Sequence, residues 1–94
     1  MFWCKTFSEK SQFVVAICDE NLLGKKIGKL KVEVRKDFYC GEKIDEIKAI
    51  EFMQKSTICN LMGKKIVKLA LEKKFITKEN IILIGDIPHA QFIK

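Results

Sequence analysis

The chain offers few groups that could make or break a covalent bond, and they are thinly spread. His89 is the sole histidine, directly after Pro88 and two residues before Gln91. An imidazole can act as acid or base near neutral pH, but it needs a second polar group in reach, and the local sequence supplies only Asp86. A histidine at a strand start, either structural or in contact with a ligand, is the simpler expectation. The four cysteines, Cys4, Cys18, Cys40 and Cys59, are scattered with no Cys-x-x-Cys pair. Zinc sites usually take two ligands from one tight turn, so this spacing points to reduced, mostly buried thiols. No Gly-x-Ser-x-Gly, His-Glu-x-x-His or paired-carboxylate pattern occurs, and the expectation is a non-enzymatic protein with no cofactor and no metal.

Attraction for phosphate is the chemistry the residues do favour. Asn21-Leu22-Leu23-Gly24-Lys25-Lys26-Ile27 is nearly repeated as Asn60-Leu61-Met62-Gly63-Lys64-Lys65-Ile66. A glycine followed by paired lysines at a helix end can present backbone N–H groups and positive charge together. This is no Walker loop, because no Ser or Thr follows the lysine. The expected contexts also differ, the first copy closing a short turn and the second lying inside a helix, which makes the match a weak sign of duplication.

Charge is segregated along the chain. There are 18 basic and 12 acidic residues, a net charge of +6. Residues 22–36 carry six basic groups against Glu33 alone, and residues 55–78 carry seven against Glu72 alone. Between them, residues 37–54 hold five acidic groups against two lysines. Charge runs of this kind are often only solvated faces, but two separate basic segments favour a polyanionic partner. Lysine dominates, so the surface suits loose phosphate attraction better than bidentate reading of bases.

The elements that must position these groups follow from pattern. Phe2–Phe7 and Gln12–Cys18 read as a hairpin with a four-residue turn, and Phe13–Ile17 is apolar on both faces. Asp19–Gly24 reads as a short helical turn capped by Asp19 and ended by Gly24. Residues 29–35 alternate, Leu30, Val32 and Val34 inward and Lys31, Glu33 and Arg35 outward, as a strand with one wet face. Residues 38–41 form a turn into a first helix over 45–54. The main helix is expected over Thr57–Phe75, with Ser56 as its cap, Ile58, Met62, Ile66 and Leu69 buried, and Thr57, Asn60, Lys64 and Lys68 lining its outer side. Gly63 would then sit mid-helix, at a cost of about 1 kcal/mol relative to Ala. Ile81–Ile84 reads as a central strand, and His89–Ile93 as a final one. The fold class is α+β in two layers, a small mixed or largely antiparallel sheet packed against two helices, in a single domain spanning 1–94. No apolar run approaches the roughly 18 residues of a membrane span, and no signal-like N-terminus is present, so the expected setting is cytoplasmic.

Several segments together resemble an archaeal family, domain of unknown function 424. They are Pro88-His89-Ala90-Gln91-Phe92, Ala16–Lys25, Phe38-Tyr39-x-Gly41-Glu42 and Thr57-Ile58-x-Asn60-Leu61-x-Gly63, with the Pro-His-Ala-Gln run the most specific. The resemblance implies a small protein that binds RNA around translation or the ribosome, and it carries over no catalytic residue. The expected RNA contacts are Lys25, Lys26, Lys64, Lys65 and Lys68 for phosphates and Asn60, His89 and Gln91 for hydrogen bonds. The alternative is a protein-interaction module, a homodimer or a docking partner, using the two-sided strand Phe13–Ile17 with Leu61, Val67 and Leu71.

Overall fold

A computed structural model describes residues 1–94. The aromatic and β-branched start of the chain forms β1 (Phe2–Glu9) and β2 (Gln12–Asp19), antiparallel with Glu9 opposite Gln12. Their turn is therefore two residues, Lys10 and Ser11, rather than four, with Lys10 taking the left-handed conformation at φ 55°. After a single 3-10 turn at Glu20–Leu22, β3 (Lys26–Ile27) and β4 (Val32–Glu33) make a small separate hairpin. The expected strand over 29–35 thus shrinks to two residues. Lys31 is left-handed, Leu30 is exposed, and of the three supposed inward residues only Val34 is buried. The turn expected at 38–41 overlaps the end of a four-residue helix, α1 (Lys36–Tyr39), which leads to β5 (Glu42–Ile44).

The helix expected over 45–54 is α2 (Glu46–Lys55). Asp45 caps it by accepting the Lys48 N–H at 2.9 Å, and Ser56 closes it by donating its hydroxyl to the Met53 carbonyl at 2.9 Å. Ser56 therefore ends one helix instead of starting the next.

The main correction lies in the following segment. Thr57–Phe75 is not one helix but a strand, β6 (Ile58–Met62), and a helix, α3 (Lys64–Glu72), joined at Gly63. Gly63 has φ 125° and ψ 156°, a conformation only glycine adopts readily, so the helix cannot run through it. Apolar residues at 58, 62, 66 and 69 imitate helical spacing because β6 is covered on both faces, and a doubly buried strand shows no alternation to read.

β7 (Ile81–Ile84) and β8 (Ile87–Ile93) complete a six-stranded sheet in the order β5-β1-β2-β6-β8-β7. β2 and β6 are parallel, and every other pair is antiparallel, so the sheet is mixed and the fold is α+β as expected. β7 is an edge strand, not a central one, and Ile82 and Leu83 are exposed.

Alternation along the strands assigns the two faces. On one, Val15, Ile17, Cys59, Leu61, Ala90 and Phe92 pack against Ala49 and Met53 of α2 and Ile66, Leu69 and Ala70 of α3. Burying each large aliphatic side chain there contributes about 1.5–3 kcal/mol. On the other, Ala16, Cys18 and Met62 pack under Leu22, Ile27, Val34 and Tyr39, so the segment after β2 roofs part of the sheet. Val15, Ile17, Leu61 and Val67 are consumed by the first core, which removes them as the interaction surface expected from sequence.

Candidate nucleic-acid interface

Strand register decides which of the expected contact residues meet. In the antiparallel β6–β8 pair, Asn60 stands opposite Gln91 and Met62 opposite His89. Cys59, Leu61, Ala90 and Phe92 point to the helices, so Asn60, Gln91 and His89 share the opposite face. Asn60 and His89 are diagonal neighbours there, within reach of one ligand. The side chains of all three are without hydrogen-bond partners in the fold, yet no buried side-chain polar atom anywhere lacks one. Their polar groups therefore face water. Partial burial holds the His89 pKa below its ordinary value, so at neutral pH the ring is uncharged, offering one donor and one acceptor. Asp86, the carboxylate near it in sequence, lies in the exposed β7–β8 turn and makes no bond to it.

The same face carries groups outside the expected set of RNA contacts. Phe38 of α1 stacks on Phe7 of β1, with centroids 5.7 Å apart. The Lys5 ammonium lies 5.4 Å from the centre of the Phe7 ring and donates to the Asp37 carbonyl at 2.8 Å. Arg35, the only arginine, forms a two-pronged ion pair with Asp37. Phe7, Arg35, Asp37 and Phe38 line a cleft of about 360 Å³ together with Glu33, Tyr39 and Met62. The signal that could have found Lys5 is its place between Trp3 and Phe7 on one face of a strand. Arg35 has a local partner in Asp37, two residues on, but its place beside Phe7 depends on α1 packing over β1.

The lysines are arranged differently. Lys64, Lys65 and Lys68 are exposed on α3, which packs on the other face of the sheet, so the expected line of Thr57, Asn60, Lys64 and Lys68 does not exist. Lys25 and Lys26 are exposed at and just before the β3–β4 hairpin. Both lysine pairs leave from the same end of the sheet, where β2 finishes at Asp19 and β6 finishes before Gly63. None of the five is in an ion pair; the three ion pairs of the chain are Arg35–Asp37, Lys43–Glu20 and Lys48–Glu51.

The start of α3 is not an open phosphate cradle. Asp19, expected to cap its own turn, makes no bond there. Its buried carboxylate instead accepts the Lys65 and Ile66 N–H groups at 2.9 Å each. Where a phosphate would sit on a helix N-terminus, the chain has placed its own anion. Gly63 makes room for it, since a Cβ at that position would run into the Asp19 carboxylate.

Cys4, Cys18 and Cys59 are buried, with thiol pKa values pushed up to about 12 chiefly by burial, while Cys40 is exposed; all four are free. No cluster of three or more metal-ligating side chains is present, and no helix is long and apolar enough to cross a membrane.

None of the curated proteins matches the chain. Its fold is similar to the crystal structure of an uncharacterized conserved protein from Methanopyrus kandleri, with a TM-score of 0.77 and 20% identity over 97% of this chain and 89% of that one. The family model described as "Protein of unknown function (DUF424)" matches residues 7–94, and the chain belongs to that family.

Proposed function

We propose that this protein is a cytoplasmic, non-enzymatic RNA-binding accessory factor of the translation apparatus. The observation that carries the reading is that Lys25, Lys26, Lys64, Lys65 and Lys68 are all exposed and have no acidic partner in the fold. Unpaired positive charge gathered at one end of a small domain attracts phosphate and releases its counterions. Because Asp19 fills the α3 terminus, side-chain ammonium groups rather than backbone amides do the binding. Such contacts are loose and indifferent to base identity. Asn60, His89 and Gln91 add directed hydrogen bonds on the sheet face. RNA reaches both sets by passing round the end of the sheet where β6 gives way to α3.

Filter binding of structured RNA across a salt series tests the proposal. Five phosphate contacts give a slope of log affinity against log salt of about −4, at roughly 0.7–0.9 per contact. No binding at low salt, or a slope near zero, overturns it.

A further inference from the structure

The two edges of the sheet are built to different rules. β5 is three residues long, and its Lys43 is paired with Glu20 and lies 5.2 Å from the centre of the Trp3 ring. Short length and charge are the usual protections of an edge. β7 has neither charge nor proline, and Ile82 and Leu83 are 59% and 69% exposed. Leu30 and Val32 of the neighbouring hairpin, 89% and 37% exposed, extend this apolar strip across a groove of about 400 Å³.

The backbone of β7 is also open in a defined way. Gly85 and Asp86 form a two-residue turn closed by Ile84 and Ile87, so the even-numbered residues of β7 bond to β8. The odd-numbered residues, Ile81 and Leu83, turn their backbone groups outward. Leu83 stands opposite Pro88, which has no N–H, and the Pro88 carbonyl is taken by the Gly63 N–H on the other side at 2.9 Å. The Ile81 N–H closes the preceding 3-10 turn onto the Lys78 carbonyl. This leaves the Leu83 N–H and C=O and the Ile81 C=O on the edge.

We propose that β7 pairs antiparallel with β7 of a second copy of this chain, about a two-fold axis at Ile82. Only registers that set odd residues opposite odd residues use the outward groups. With Ile82 opposite its own copy, Leu83 N–H of each chain donates to Ile81 C=O of the other. Ile81 packs on the second copy's Leu83, and Ile82 on Ile82. The same two-fold brings the 3-10 turn before β7, which carries Lys78, beside the β7–β8 turn of the second copy, which carries Asp86, a charge match made twice by symmetry, in keeping with an isologous contact. The footprint is one short strand and its flanking side chains, so association is weak.

Sedimentation of the RNA-free protein from about 10 μM to about 1 mM, the range that matches a small interface, is expected to show the mass rising from 10.9 kDa towards twice that value. A single-chain mass throughout overturns the proposal. Leu83→Pro removes the amide given to the second copy and no β7–β8 bond, and should abolish the rise. Ile82→Lys should do the same where the proline variant folds poorly, and a dimer that survives Ile82→Lys overturns the site. Lys78→Asp and Asp86→Lys should each weaken association about fivefold, and the double exchange should restore it, as expected for residues in direct contact. Failure of the double exchange to restore it overturns the register.

Discussion

Residues 21–27 and 60–66 match at six of seven positions and fold in unrelated ways. In the first copy Leu22 ends a 3-10 turn, Gly24 takes φ 80°, and the lysines run on into a two-residue strand. In the second, Leu61 lies within a buried strand, Gly63 takes φ 125°, and the lysines open a helix. Local propensity cannot separate them, since the residues are nearly the same. What separates them is Asp19. It stands two residues before the first copy and spends its carboxylate on the second, so a helix begins only where that anion arrives. The comparison therefore predicts unequal costs for equal substitutions.

The largest cost falls on Gly63→Ala. The new side chain needs a backbone conformation that is essentially glycine's alone, about 1–3 kcal/mol, and it displaces the Asp19 carboxylate and so removes the cap as well. Together these amount to about 4 kcal/mol, a large share of the 5–15 kcal/mol typical of a domain. Urea unfolding followed by circular dichroism should show a lowered midpoint with an unchanged slope. A cost below about 1 kcal/mol, the price of Ala in ordinary left-handed backbone, would break the comparison.

Next comes Asp19→Ala, at about 2–3 kcal/mol, because two N–H groups at the start of a helix lose a charged acceptor. Asp19→Asn keeps one acceptor oxygen and should cost about half as much. Amide exchange reads the same event locally. Lys65 and Ile66 should lose protection in Asp19→Ala, whereas amides in the β3–β4 hairpin should not. Equal loss at both places would mean that Asp19 supports the first copy as much as the second.

Legibility in the sequence follows the same division between local and long-range causes. The β1–β2 hairpin, α2 and β8 were all readable, because β-branched runs, turn residues and helical spacing are local signals. β6 was not, because its apolar residues at 59, 61 and 62 serve two cores, and with Ile58 their spacing merges with that of α3 into a false helix. The edge position of β7 was unreadable for a related reason: four consecutive apolar residues usually mean a strand covered on both sides, and here two of them face water. Within the candidate site, Asn60, His89 and Gln91 were picked out separately by resemblance to a family, and their meeting on one face required the β6–β8 register. The lysines were visible as charge, but their separation from Asn60 depended on the strand ending at Gly63.

Gly24→Ala should cost only about 1 kcal/mol, the ordinary penalty of a left-handed alanine. The nearest obstacle to its Cβ is the Lys36 side chain, with Cε at 3.0 Å, and a flexible lysine can move aside. Thermal melts of the Gly24→Ala and Gly63→Ala proteins side by side set the two copies against each other directly. Equal shifts would show that backbone conformation, not the neighbouring carboxylate, governs both sites.

The smallest effects on stability belong to the lysines, and they separate structure from binding. Lys25→Ala with Lys26→Ala removes two solvated charges and should change stability by less than about 0.5 kcal/mol. Lys64→Ala with Lys65→Ala removes positive charge from the first turn of α3, where the helix dipole disfavours it, so stability should hold or rise by a few tenths of a kcal/mol. On the proposed RNA surface both pairs count alike, each lowering the salt slope by about 1.5 if both lysines hold phosphates. A pair whose loss leaves the fold as stable or more so while weakening RNA binding is kept for the ligand rather than for the fold. If removing Lys64 and Lys65 leaves the salt slope unchanged while removing Lys25 and Lys26 lowers it, the binding surface is confined to the hairpin side and α3 takes no part in it.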